Sequence, residues 1–282
     1  MPELPEVETV RRQLSQVIVG KTITSVDVLK EKSWSGKISM VVGQKITHID
    51  RRSKVLLIRL SHEHSLLVHL KMSGQLIYVD GAFRTGGGHP TADWVENLPS
   101  SHTRIVSTFS DNTRLFFNDQ RIFGWVRLMT NAEANESLEP LAPDVIDPAI
   151  TVEYLLAKST KHGIPIKQFI MDNTIVAGVG NIYACDALNL ARISPFRPTS
   201  KVTPKEMNRL LDSMREVINL GIELGGATAH GKYVHVDGLA GKYQDRMRVY
   251  SRTGESCLNC EGAIVKTKLG GRGTFYCSNC QM

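Results

Sequence analysis

The clearest periodicity in the chain lies near its start. Apolar side chains at Val7, Val10, Leu14, Val17 and Ile18 recur at the three- and four-residue steps of one helix face, and Gly20 supplies a stop, so a helix is predicted over residues 5–19. From residue 22 to 130 the texture becomes β-rich. Strands are predicted at 45–49, 55–60, 66–70, 75–79, 104–109, 114–117 and 125–129, with Ser110-Asp111-Asn112-Thr113 reading as a hairpin turn. Repeated short strands favour an antiparallel sandwich with the first helix packed against it. Residues 84–100, containing Gly86-Gly87-Gly88 and Pro99, read as a long loop, flexible at the glycine triplet.

Pro140, Pro143 and Pro148 interrupt any regular element and mark a boundary. Helical stretches follow at 165–173 and 181–192. The clearest helix opens on Thr203-Pro204-Lys205-Glu206, a capping box with Pro at the first helical position. Met207, Leu210, Leu211, Met214, Val217 and Ile218 give it a core stripe, and Gly225-Gly226 closes it. The predicted class is therefore α+β, with four segments. Residues 1–138 form an antiparallel β-sandwich flanked by helices, 139–150 a linker, 151–248 a helical region, and 249–282 a short terminal module.

Composition narrows the function classes. At 282 residues the chain can bury a real core. No apolar run approaches the roughly 20 residues that span a bilayer, and no export signal is legible, which points to a cytoplasmic protein. A net charge of +6 and a pI near 9.1 suggest a polyanionic partner. Of five cysteines, four fall in the terminal module as Cys257-x-x-Cys260 and Cys277-x-x-Cys280, separated by residues 261–276. That spacing suits one structural Zn²⁺ held by four thiolates on a β-hairpin, with disulfides or free thiols as the alternative. Lys266, Lys268 and Arg272 lie between the two pairs, where a cation can clamp phosphates or simply be solvated.

The candidate chemistry sits at the other end. An initiator Met before Pro is normally trimmed, leaving Pro2 as a secondary-amine terminus. An α-amino group titrates near ~7.7–8.0, so part of it is neutral and nucleophilic at cellular pH. Attack by such an amine on an electrophilic carbon gives a Schiff base, and Glu3 and Glu6 are near enough in sequence to move protons or orient it. The same residues also read as an ordinary helix start, with Pro5 and acidic side chains at the positive end of the dipole.

Pro2-Glu3-Leu4-Pro5-Glu6-Val7-Glu8-Thr9 resembles the amino terminus of bacterial formamidopyrimidine-DNA glycosylases, the Fpg/MutM family. Further motifs follow in that family's order. Arg52-Ser53-Lys54-Val55-Leu56-Leu57 is similar to the strand carrying its active-site lysine, which implies that Lys54 contacts phosphate and acts as an electrostatic partner in catalysis. His69-Leu70-Lys71-Met72-Ser73-Gly74 and Asn118-Asp119-Gln120-Arg121-Ile122-Phe123-Gly124 resemble the loops that refill the stack once a base is extruded. The implied roles are wedges for Met72 and Phe123 and a bond from Arg121 to the orphaned base. Without the resemblance, Met72 and Phe123 default to core, Lys54 to a surface charge and His69 to a satisfied buried histidine. Gly178-Val179-Gly180-Asn181-Ile182-Tyr183-Ala184 is similar to the helix–two-turns–helix, which implies a phosphate contact for Asn181 and, in the preceding helix, a place near the lesion for Lys167.

The resemblance implies a monomeric, bifunctional DNA glycosylase and AP lyase that excises oxidised purines from damaged duplex DNA through Pro2. Glu3 would protonate the opening sugar and Glu6 would position the terminus. Arg272 would join the DNA contacts, with Cys257, Cys260, Cys277 and Cys280 holding zinc. Three departures bear on lesion choice: Ile122 replaces a usually basic residue, the 84–100 loop is long, and residues 226–245 lack an arginine typical of the lesion-covering loop. They keep open an endonuclease VIII-like preference for oxidised pyrimidines. A non-catalytic zinc-ribbon DNA-binding protein is the alternative from another class.

Overall fold

The amphipathic stripe near the start forms α1 (Leu4–Ile18) in the computed structural model, in which residues 2–89, 91, 93, 97–159, 163–227 and 241–282 are described. The chain divides into two compact units, one comprising Met1–Glu139 with Leu224–Lys242, the other Pro140–Glu223 with Tyr243–Met282. No helix among the described residues is long and apolar enough to cross a membrane.

In the first unit the β-rich region folds into two five-stranded sheets. One has the order β1 (Ile23–Val28), β8 (Thr103–Phe109), β9 (Arg114–Asp119), β6 (Gly74–Asp80), β7 (Phe83–Gly88). The other runs β2 (Trp34–Ser35), β10 (Trp125–Thr130), β5 (His64–His69), β4 (Val55–Leu60), β3 (Ile46–Arg52). Neighbouring strands are antiparallel except β2, which pairs in parallel with β10. Leu76, Tyr78, Phe109 and Phe117 of the first sheet meet Leu56, Ile58, Val68 and Val126 of the second in one core, closed by Val7, Val10, Leu14 and Ile18 of α1. Each such side chain contributes about 1.5–3 kcal/mol on burial.

Strand β4 reads as an unbroken apolar run because both its faces are covered. Leu56, Ile58 and Leu60 enter the main core, whereas Val55 and Leu57 join Leu67 and Ala134 of α2 (Asn131–Leu138) on the opposite face.

The glycine triplet is not a flexible loop, as its composition suggested, but the body of β7. Gly86 (φ +130°) and Gly88 (φ +126°) lie where a side chain is both strained and blocked. A Cβ would stand 2.0 Å from the Leu76 carbonyl oxygen at position 86 and 2.3 Å from that of Gly74 at position 88. At Gly87 a Cβ would come within 3.1 Å of Val10 Cγ2, so the bare strand lets α1 lie close. The rest of the expected loop falls partly on residues 90, 92 and 94–96, outside the described residues.

The second unit holds α3 (Val152–Ser159), α4 (Ile166–Ile170), α5 (Asn181–Leu190), α6 (Pro204–Glu223) and the hairpin β11 (Ile264–Leu269) and β12 (Arg272–Cys277). The capping box of α6 is present: Glu206 N donates to Thr203 Oγ1 and Thr203 N to Glu206 Oε2, at 3.3 and 2.9 Å. Its Met- and Leu-rich stripe is buried. The helix expected at 165–173 is shorter, because Ile170 gives way to a turn in which Asp172 Oδ1 accepts from Thr174 N. Asp186, wholly buried on α5, accepts from Tyr243 Oη, Val249 N and Tyr250 N and so ties the segment before the hairpin to that helix.

An ionic cluster joins α1 to β3. Glu8 accepts from Arg11, Arg12 and Arg51 at 2.8–3.1 Å. Burial acts to raise its pKa, but the three guanidinium groups outweigh it and hold the carboxyl at about 2, against an ordinary 4.5. Because the folded-state value is depressed, this stabilisation is complete above pH 4.5 and is lost as pH falls toward 2. Glu8→Gln should lower unfolding free energy at neutral pH by about 2–3 kcal/mol and flatten the acid limb of stability. Urea denaturation across a pH series checks this, and parallel limbs in the two proteins would contradict it.

Candidate active site and nucleic-acid surface

The amino-terminal residues close a helix. Glu3 is the N-cap of α1, and it and Glu6 form a reciprocal capping box, with Glu3 N donating to Glu6 Oε2 at 2.7 Å. The plain reading as a helix start is therefore correct, and it sets both carboxyl groups within the first turn that follows Pro2. Pro2, Glu3 and Glu6 are all buried. The second oxygen of Glu6 accepts from Ala227 N at 2.7 Å, and a Cβ on Gly226 (φ +85°) would stand 2.7 Å from Glu6 Cγ. Glu6 thus anchors the start of the 226–245 segment; residues 228–240, where the lesion-covering loop was expected, lie outside the described residues.

Lys54 is buried in the tight turn between β3 and β4, where Ser53 takes φ +53°. Arg51 donates through Nη1 to Ser53 O and through Nε to Glu8, linking the turn that carries Lys54 to the helix that follows Pro2. His69 stands amid cations. Burial first, then the charges of Lys71, Lys54 and Arg127, depress its pKa to about 3. Its Nδ1 accepts from Lys71 N at 3.0 Å, which puts the ring proton on Nε2.

The three stack-filling candidates come together. Met72 is 41% and Phe123 47% exposed, large values for such side chains. Arg121 bridges them, its Nη1 3.2 Å from Met72 Sδ and its guanidinium carbon 5.0 Å from the Phe123 ring centre. Sequence reasoning missed the residue beneath them. Asp119, fully buried at the end of β9, accepts from Ser73 Oγ and from the backbone N–H groups of Arg121, Phe123 and Gly124. An acid directly before a loop containing Gly was the available signal.

In the second unit, Asn181 opens α5 and donates through Nδ2 to Gly273 O at 3.0 Å. Arg272 is exposed at the hairpin turn, edging a 210 Å³ hollow shared with Gln168, Met171 and Asp172. Lys167 lies on α4. It is 1% exposed, and its ammonium donates to Thr274 Oγ1 (2.7 Å) and Gly273 O (3.3 Å), so in this structure it braces the hairpin. The physical reason is its position on α4 facing β12, where a buried ammonium needs acceptors.

The four cysteine Sγ atoms lie within 4.8 Å of one another, with Cys257–Cys280 at 3.7 Å and Cys260–Cys277 at 3.5 Å. Tetrahedral zinc with bonds of about 2.3 Å requires sulfur separations near 3.8 Å, so the set fits the ion. Four thiolates leave no open position, and the zinc is structural.

Three family profiles match in order: the formamidopyrimidine-DNA glycosylase N-terminal domain over residues 1–126, the formamidopyrimidine-DNA glycosylase H2TH domain over 141–232, and a zinc finger found in FPG and IleRS over 254–281. The formamidopyrimidine-DNA glycosylase of Pelotomaculum thermopropionicum is 37% identical over 288 residues, covering 100% of this chain and 99% of the relative. The chain belongs to the formamidopyrimidine-DNA glycosylase family. The enzyme of that name from an Exiguobacterium species is 38% identical over 289 residues, again with 100% and 99% coverage. Among solved structures, a Lactococcus lactis FPG variant bound to Fapy-dG DNA superposes with a TM-score of 0.88 at 30% identity, covering 100% of each chain. The wild-type Lactococcus lactis protein with oxidised-pyrimidine DNA gives 0.86 at the same identity and coverage. Formamidopyrimidine-DNA glycosylase membership accounts for the α+β fold and the terminal zinc hairpin together.

Two measurements test this site. Metal analysis should find one zinc per chain, and Cys257→Ser should lose it along with hairpin structure; full zinc content in that variant would refute the four-thiolate site. The imidazole resonance of His69 should not shift between about pH 5 and 8, and a midpoint near 6.5 would show that the cations do not suppress its protonation.

Proposed function

We propose that this chain excises oxidised purines from duplex DNA and then cuts the strand, as a monomeric glycosylase and AP lyase using Pro2 as nucleophile. The observation that carries the reading is similarity along the whole chain to named formamidopyrimidine-DNA glycosylases, including Lactococcus lactis structures holding Fapy-dG and abasic-site DNA. The supporting geometry is a buried helix start that sets two carboxyl groups in the first turn after Pro2.

The steps follow from that geometry. The nitrogen lone pair of Pro2 forms a bond to C1′ while the glycosidic bond breaks, its electrons leaving with the base, which takes up a proton. Glu3 protonates the ring oxygen as the sugar opens, and an iminium ion results. The iminium acidifies the neighbouring C2′–H bond. Loss of that proton expels the 3′ phosphate, and a second elimination through C4′ expels the 5′ phosphate. Glu6 holds the terminus through Glu3 N, and Lys54 supplies positive charge near the reacting sugar. Arg272 and Asn181 engage phosphates, while Met72, Arg121 and Phe123 fill the vacated stack. Zinc serves only to hold the hairpin. The site of action is chromosomal DNA in the cytoplasm.

A second substrate class has an observation in its favour, since the Lactococcus lactis protein is also solved with oxidised-pyrimidine DNA. A non-catalytic zinc-ribbon protein would leave the match over residues 1–126 without a purpose.

Borohydride added during reaction with an 8-oxoguanine duplex should trap a covalent protein–DNA adduct at Pro2. Blocking the terminus by an amino-terminal extension should abolish trapping and strand cleavage. Undiminished trapping with the blocked protein would overturn the assignment, and parallel reactions on a thymine glycol duplex rank the two lesion classes.

A further inference from the structure

The stack-filling side chains come from two separate loops, and their exposure means that no core packing fixes them. Met72 lies in the turn after β5, where Lys71 takes φ +50°, and Arg121 and Phe123 lie in the loop after β9. Prying a duplex step apart costs a few kcal/mol, and a wedge on loosely tethered loops would lose that work to its own freedom. Something stiff must therefore join the two loops below the surface.

Asp119 has the position and the valence for it. Its residue pairs with Gly74 across β9 and β6, so it stands where both loops leave the sheet. Oδ1 accepts from Ser73 Oγ (2.5 Å) and Arg121 N (3.2 Å), and Oδ2 from Phe123 N (2.8 Å) and Gly124 N (2.6 Å). Ser73 Oγ in turn accepts from Arg121 N at 2.9 Å. The loop wraps round one carboxylate with its N–H groups pointing inward, as backbone does around a bound anion. Two backbone details need that anchor. Ile122 is held at φ +56°, a costly region for a β-branched residue, and a Cβ on Gly124 would be 2.8 Å from Phe117 Cζ and 3.1 Å from Asp119 Oδ2. The backbone of Asp119 is fixed as well, its N donating to His102 O and its carbonyl accepting from Arg104 Nε. Being wholly buried, Asp119 touches no DNA itself.

We propose that Asp119, working with Ser73, is a positioning residue that locks Met72, Arg121 and Phe123 into one rigid wedge and so governs extrusion of the damaged nucleotide rather than chemistry on its sugar. The inference rests on the proposed glycosylase and lyase reading, and it separates that enzyme's two activities. Excision from a duplex needs the wedge, whereas cleavage at a preformed abasic site in a single strand has no stack to open.

Asp119→Asn turns an acceptor into a donor facing N–H groups, and Ser73→Ala removes the bridge while leaving the carboxylate. Leaving such a buried donor unpaired costs about 1–3 kcal/mol, so single-turnover excision of 8-oxoguanine from duplex should fall about tenfold or more in each variant. The fluorescence change of 2-aminopurine beside the lesion should slow by the same factor. Cleavage of a single-stranded abasic oligonucleotide should stay within about twofold of wild type. Unchanged duplex excision, or an equal loss on both substrates, would overturn the proposal. Should Asp119→Asn fail to fold, Ser73→Ala decides by the same criteria. If the unmodified protein processes neither substrate, the glycosylase reading itself has failed and takes this role with it.

Discussion

Helix α1 cannot begin without satisfying its first N–H groups, and the way it does so constrains everything at the amino terminus. A Ser or Asp cap would have sufficed for stability. Here the cap and its reciprocal partner are both glutamates, and the hydrogen bonds that close the helix also fix two carboxyl groups in the first turn after Pro2. Seating that helix requires the sandwich core beneath Val7, Val10 and Leu14, the glycine strand beside it, and the Glu8–Arg51 link to the turn that holds Lys54. The β-sandwich thus serves as a mount for one helix end.

Much of this was legible in the chain because local rules and global fold agree. The stripe of α1, the capping box of α6, the turn at Ser110–Thr113 and the alternating strands were all readable as spacing. The cysteine pairs were readable as chemistry. Strand β1 and the two-residue β2 escaped because their apolar positions are sparse, and β2 owes its place to pairing with β10. The glycine triplet misled for a physical reason. Glycine signals freedom in isolation, but in β7 it marks the closest approach of backbone to backbone, which only the paired strand reveals.

The site residues divide along the same line. Pro2, Glu3, Lys54, Met72, Arg121 and Phe123 announce themselves by motif, and in the structure Arg121 touches both Met72 and Phe123. Lys167 was named by motif, while its bonds to Gly273 and Thr274 of β12 emerge only in the fold. Asp119 and Ser73 carried no motif at all. Each is an ordinary polar residue whose importance arises from partners brought near by sheet pairing, and no single-sequence pattern encodes that.

A strand built of glycine acts as a spacer of almost no thickness. Val10 rests so near the bare backbone at Gly87 that even one methyl group there would ask it to move by a few tenths of an ångström. Val10 stands less than two turns from the helix start at Leu4, and a rigid helix transmits a tilt to its end. How closely the start of α1 is seated is thus set by atoms that the facing strand lacks, a ruler defined by omission.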